Sequence, residues 1–206
     1  MRKDLNETLH CSLDAAGYAA HSADYLRKRG IHAVDGPTAE HIHRIGEWIK
    51  GNGRTGLMLM GSVGNGKTTL GRMTMSYLWL ALKGKYDMMG LSDTARVAES
   101  ELAVTSAQDI TLNAMSDYPG TITALTDMKC LMIDDLGNEP RDINVYGNVM
   151  TPLLDIMERI YARDHALIIT TNLDLRGIRE KYGERVYDRL KETMHIVTFT
   201  NPSYRK

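Results

Sequence analysis

An excess of charge of either sign is missing from this chain of 206 residues: 25 Lys and Arg stand against 26 Asp and Glu, a net charge of -1. No global field draws it to nucleic acid or to an anionic membrane, so any DNA contact has to come from a local patch. Cysteine is scarce too. Cys11 and Cys130 lie far apart and the second sits inside an apolar run, so buried free thiols are expected in place of a disulfide, as in a reducing cytosol. No apolar run approaches the length of a membrane span, and MRKDLNETLH lacks the apolar block of a signal peptide. The expectation is a cytoplasmic protein with no membrane partner. Repeats and low-complexity tracts are absent. The histidines lack partnering cysteines, and His41 and His43, two residues apart, fall on different sides of a helix, so they make no metal site.

What is present centres on GSVGNGKTTL, Gly61 to Leu70. Gly61, four residues, then Gly66-Lys67-Thr68 is the spacing in which successive backbone N–H groups form a nest for phosphate oxygens. The apolar run Leu57–Met60 before it reads as a buried strand, and Thr69 to Leu82 carries helical periodicity through Leu70, Met73, Tyr77 and Leu78. A strand therefore feeds a helix through Gly61, Ser62, Val63, Gly64, Asn65, Gly66, Lys67, Thr68 and Thr69. The helix N-terminus adds orphan N–H groups and a positive dipole end, Lys67 reaches the β and γ phosphates, and Thr68 holds magnesium. The competing readings are a glycine-rich turn that matches by accident and a loop for some other anion.

Five apolar runs recur, at Leu57–Met60, Tyr86–Leu91, Cys130–Ile133, Ala166–Thr170 and Ile196–Phe199, between segments of helical character at Thr38–Lys50, Thr69–Lys83, Val145–Arg163 and Glu184–Glu192. Alternation of this kind predicts an α/β fold, a mainly parallel five-stranded sheet between two layers of helices. With 43% hydrophobic residues the chain suits one core and a short appendage. Asp35-Gly36-Pro37 reads as a break, with Thr38 capping the next helix, which divides the chain into a short helical segment, 1–36, and a main domain, 37–206. In the short segment Leu5, Leu9 and Leu13 form one apolar stripe, either core packing or a partner-binding face.

Two further strands end in polar groups, and in parallel sheets ligands collect outside the carboxyl ends of the strands. After Cys130–Ile133, Asp134 would support magnesium through its water shell and Asp135 would polarise the attacking water. A turn with a helix cap is the alternative for this pair. After Ala166–Thr171, Asn172 either hydrogen-bonds the attacking water or caps a helix beginning near Leu173.

GSVGNGKT, CLMIDDLG and IITTNLDL, followed by YGERVYDRL and a terminal NPSYRK, resemble in order and spacing the AAA+ P-loop ATPases of the DnaC-type helicase-loader and IstB-type transposition-helper branch, over about residues 38–206. The resemblance implies Walker A at Lys67 and Thr68, Walker B at Asp134 and Asp135, and sensor I at Asn172. It further implies an arginine finger at Arg189, with Arg185 as the competing candidate, and a sensor II arginine at Arg205. Glutamate stands at position 135 in many ATPases of the wider superfamily. DnaC-type loaders carry a larger N-terminal region than residues 1–36, and Thr200–Lys206 leave no room for a helical lid, which fits the lidless branch. An arginine donated in trans implies a homo-oligomer and slow hydrolysis by an isolated protomer. Surface ion pairs with Glu184, Asp188 or Glu192 are the alternative for both arginines.

The expected activity is that of a Mg-dependent ATPase with ATP and Mg2+ bound at Lys67, Thr68 and Asp134. The expected partner is a replicative helicase, or alternatively a transposase, with single-stranded or target DNA. A nucleotide-dependent scaffold and a small-molecule kinase are the other readings, the last disfavoured by the Asp134–Asp135 and Asn172 signals. The basic runs Arg27-Lys28-Arg29 and Lys83/Lys85 read first as solvated helix ends. The segment 91–113, which the resemblance places beside single-stranded DNA, has only Arg96 as a positive charge and no aromatic platform.

Overall fold

The computed structural model describes residues 5–204. Its centre is a parallel sheet built from β1 (Gly56–Gly61), β2 (Leu102–Ser106), β3 (Cys130–Leu136), β6 (Ala166–Thr171) and β7 (Met194–Phe199), in the order β2-β3-β6-β1-β7. Successive side chains of a strand point to opposite faces. Leu57, Leu59, Met132 and Ile168 accordingly face one core, and Met58, Leu131, Ile133 and Ile169 the other. Helices cover both faces, which is why the central strands β1, β3 and β6 read as apolar runs. On the first face lie α1 (Leu5–Leu9), α2 (Ala15–Arg27), α3 (Gly36–Ile49) and α4 (Lys67–Met88); on the second lie α6 (Ala107–Ser116), α7 (Tyr118–Thr126), α8 (Pro152–Arg163), α9 (Leu175–Tyr182) and α10 (Glu184–Thr193). The expected three-layer α/β architecture with five parallel strands is borne out.

Leu5, Leu9 and Leu13 are buried in the first core beside Tyr18, Leu26 and Trp48, so the stripe is packing. Asp14 caps α2 and Asp35 caps α3, each carboxylate accepting from the N–H three residues on, at 2.6 and 2.8 Å. Asp35 thus takes the capping role expected of Thr38, because its β-region backbone aims the carboxylate at the first turn.

Two further expectations are corrected. Tyr86–Leu91 is not a strand: Leu78, Leu82 and Tyr86 continue the buried stripe of α4, and the Lys83–Asp87 pair at 2.7 Å supports its last turn. The strand is β2, preceded by α5 (Thr94–Glu99); lying at the sheet edge, it is half exposed and shows no apolar run. The helix expected from Val145 begins at Pro152. Before it β4 (Ile143–Val145) and β5 (Asn148–Met150) form a hairpin, with Tyr146 and Gly147 both at positive φ, a turn the helical reading overlooked.

The basic runs are engaged locally. Lys28 pairs with Asp24 at 2.7 Å, Arg29 lies over the Tyr25 ring, and Lys85 donates to Leu9 O at 3.2 Å. Arg96 sits in the last turn of α5. Both cysteines are free, Cys130 buried with its thiol pushed up to about 12 by burial, and Cys11 only partly covered. Among the described residues, no helix is long and apolar enough to cross a membrane.

Candidate nucleotide site

The phosphate loop leaves β1 at Gly61, where a side chain would be strained at φ +154° and its Cβ would lie 2.3 Å from Phe199 O. It ends at Gly66, the N-cap of α4. Lys67, 5% exposed, turns its Nζ back into the loop, donating to Gly61 O (2.7 Å), Ser62 O (2.6 Å) and Asn65 Oδ1 (3.1 Å), and across to Asn172 Oδ1 (3.0 Å). Helix α9 takes its cap from Asp174, which accepts from Gly177 N at 2.7 Å. The capping alternative for Asn172 is thereby overturned: its carboxamide faces the phosphate-loop lysine.

Strand β3 brings the carboxylates to the same end of the sheet. Asp134 Oδ1 accepts from Thr68 Oγ1 (2.9 Å) and from Thr170 Oγ1 (2.5 Å), and Arg72 Nη2 lies 3.9 Å from its other oxygen. The register of β3 against β6 breaks between Ile133 and Leu136. In that irregularity Asp135 takes a left-handed backbone, φ +56°, and donates its N–H to the Thr170 hydroxyl at 2.9 Å. Bulges of this kind re-aim side chains; Asp135 is exposed and lines the cleft, and neither carboxylate caps a helix.

The cleft itself is about 760 Å³. Lys67, Thr68, Asp135 and Asn172 form its polar side, while Leu26, Ile31, Val34 and Val63 offer an apolar slot. Thr68 Oγ1 and Asp134 fit a magnesium ion, which takes few protein oxygens and keeps several waters. Among the described residues no group of three His, Cys, Asp or Glu forms a dedicated metal cage.

Of the residues expected at the site, the structure brings together Lys67, Thr68, Asp134, Asp135 and Asn172. It does not bring Arg185 or Arg189 to them. Both lie on α10 against Glu158 of α8, at 3.2 and 3.0 Å, and neither pairs with Glu184, Asp188 or Glu192 there. Arg189 also stacks over Tyr161 and lines a small hollow with Thr55 and Gly56, at the opposite end of β1 from the phosphate loop. Arg205 lies outside the described residues. Sequence reasoning missed Thr170, Arg72 and Tyr204. Thr170 carried one available signal, a hydroxyl among apolar residues near a strand end.

No protein-family model matches the chain, and no curated protein matches it. Solved structures do. The DnaC helicase loader superposes with a TM-score of 0.58 at 19% identity, over 82% of this chain and 93% of that one. DnaI superposes with a TM-score of 0.52 at 17% identity, over 89% of this chain and 93% of that one. At such identities the likeness speaks for architecture alone. The chain shares its fold with DnaC and DnaI, a parallel sheet between helices with a phosphate loop after β1.

Proposed function

We propose that the chain is a magnesium-dependent ATPase that assembles with copies of itself and acts, as a helicase loader, on a replicative helicase and its single-stranded DNA. The observation that carries the reading is the convergence of Lys67, Thr68, Asp134 and Asn172 at the ends of β1, β3 and β6, with Lys67 bonded to Asn172 and Thr68 to Asp134. An ammonium has three N–H donors, yet four oxygens surround Lys67 Nζ, and an arriving triphosphate can draw it away from the loop carbonyls. The loop amides and the α4 N-terminus hold the phosphates, and the apolar slot takes the base. When bound, magnesium neutralises charge on the phosphate oxygens beside Thr68 and Asp134. Asp135 orients the attacking water and accepts its proton, and Asn172 holds the γ-phosphate side of the site through Lys67.

Among the described residues Lys67 is the cation that lines the cleft, and α10 presents Arg185 and Arg189 for a neighbour. Arg185 is the freer of the two, its side chain 70% exposed against 25% for Arg189. Arg205 carries the sensor II role by resemblance. The helicase is preferred to the transposase because DnaC, among the similar solved structures, is a helicase loader. The test is ATP turnover per protomer across protein concentration, with and without single-stranded DNA. Turnover that rises with both is expected; a low rate flat in both, with ATP still bound, would favour the scaffold.

A further inference from the structure

Five residues beyond Asp134, outside the cleft, a carboxylate is buried. The side chain of Glu139 has no exposed surface, a costly location unless every oxygen is partnered. Both are. Oε2 accepts from Gly137 N at 2.9 Å, and Oε1 accepts from the Tyr182 hydroxyl, with Lys181 Nζ 3.6 Å away. Lys181 also donates to the carbonyls of Gly137, at 2.7 Å, and of Glu139. The turn that follows Asp135 is thus tied through side chain and backbone to the last two residues of α9. A second contact presses the same turn against the Asn172 segment: a Cβ on Gly137, at φ +111°, would lie 2.8 Å from Leu173.

Glu139, Gly137, Lys181 and Tyr182 do not line the cleft, although Asn138 of the same turn does, and a well-packed apolar group in place of the carboxylate would serve stability as well. What an apolar group would not do is fix one geometry. Asp135, two residues before Gly137, holds a left-handed backbone that L-residues seldom adopt and that persists only where the surroundings over-determine it. Thr170 fastens the N-terminal side of that residue through its N–H, and the Glu139 knot fastens the chain that leaves it.

We propose that Glu139 is a positioning residue: gripped by Tyr182, Lys181 and Gly137, it holds the Asp135–Glu139 turn to α9 and so keeps the Asp135 carboxylate aimed into the cleft. The inference rests on the ATPase reading, since Asp135 is the group positioned. Through Gly183, α9 runs directly into α10, so the turn and the helix of Arg185 share one support.

The test uses the full chain and three variants, Tyr182→Phe, Glu139→Gln and Glu139→Ala. Fluorescent ADP-analogue binding, ATP turnover at saturation and hydrogen exchange of the 135–139 amides are read for each. Binding within about twofold of wild type is expected throughout, because the phosphate loop is untouched. Turnover should drop about tenfold or more in Glu139→Ala and recover in part in Glu139→Gln, which still accepts from Tyr182. Tyr182→Phe, which removes one donor only, should raise amide exchange at 135–139 while the rest of the sheet exchanges as before. That readout needs no hydrolysis, so a wild-type protein without turnover sinks the ATPase reading and leaves the positioning claim answerable. Should Glu139→Ala fail to fold, Tyr182→Phe alone decides. Wild-type exchange and turnover in Tyr182→Phe overturn the proposal, as does loss of binding and turnover together in Glu139→Gln, the mark of a merely structural role.

Discussion

The Tyr204 hydroxyl donates to Asp35 Oδ2 at 2.7 Å, fastening the last described residue to the N-cap of α3 across the mouth of the cleft. The same oxygen meets Thr38 Oγ1 at 2.9 Å, and the Tyr204 N–H donates to Gly64 O at 2.8 Å. Just before it, Asn201 Nδ2 donates to Asn65 O at 3.3 Å. Hydrogen bonds from Thr38 first and Tyr204 second hold the Asp35 carboxyl below the usual carboxylate range.

The strap therefore connects the loop that would bind phosphates to the connector that lines the apolar slot. Tyr204→Phe removes the bond to Asp35 and keeps the ring and the backbone bond. A lost hydrogen bond to a charged acceptor, discounted for its exposure, should weaken nucleotide affinity about fivefold. Titration of a fluorescent ADP analogue checks this; unchanged affinity with a lowered melting temperature would make the strap a stability feature only.

Thr170 is fully buried, donates to Asp134 Oδ1 and accepts from Asp135 N. Thr170→Val keeps the shape, strands the Asp135 N–H and leaves Asp134 Oδ1 with Thr68 alone, which should cost about 2 kcal/mol of stability. Thr170→Ser keeps the hydroxyl and should lie much closer to wild type. Urea unfolding of the two variants gives the comparison, and a Val variant as stable as the Ser variant contradicts the bonding described.

How far these features were legible depends on their range along the chain. Strands β1, β3 and β6 were readable because burial on both faces writes an apolar run, while of the two edge strands β7 keeps enough buried apolar residues to be read and β2, half exposed, does not. Tyr86–Leu91 looked like a strand by composition, yet the spacing of Leu78, Leu82 and Tyr86 belongs to a helix. The hairpin at Ile143–Met150 has strands too short for any periodicity to appear. In the site, a contiguous loop announces Lys67 and Thr68. The contacts of Thr170 with Asp134, of Tyr182 with Glu139 and of Tyr204 with Asp35 span 36, 43 and 169 positions, and nothing local encodes them.

Asp135→Asn separates the ATPase from the scaffold. The amide retains size and backbone bond and removes the group that accepts the water proton. ATP turnover should fall by about 10² or more with binding within twofold of wild type. A variant that turns over as fast as wild type points to binding alone as the working step.

Acid should destabilise the fold through its histidines. His41 stacks on Phe199 at 3.8 Å, and burial foremost lowers its pKa, with Arg44 acting in the same direction and Asp35 and Glu40 opposing. His21, His165 and His195 are likewise lowered, chiefly by burial. A folded-state value below the unfolded one, about 6.5, means that the unfolded chain binds protons first. Stability is then full above that pH and falls as the pH drops through the folded-state values. Melting temperatures from pH 8 to 5 should decline below about 6.5, and His41→Phe should flatten part of the decline. An unaltered slope in the variant would exclude His41 as a contributor.

The two arginines of α10 should separate cleanly by experiment. Arg189 is held by Glu158 and the Tyr161 face and lines the hollow at the start of β1, so Arg189→Ala removes packing and should lower the melting temperature by several degrees. Arg185, mostly exposed, should leave stability within about 0.5 kcal/mol when changed to Ala. If it reaches a neighbour's γ phosphate, Arg185→Ala lowers turnover about 10³-fold without weakening binding. Mixing then gives the decisive reading. A Lys67→Ala protomer retains Arg185 but has a crippled phosphate loop, whereas the Arg185→Ala protomer retains the loop. Each is nearly inactive alone, and together they should recover a measurable fraction of wild-type turnover, since one supplies the arginine that the other's site lacks. No recovery on mixing, with both variants folded and able to assemble, would place the missing cation elsewhere than at Arg185.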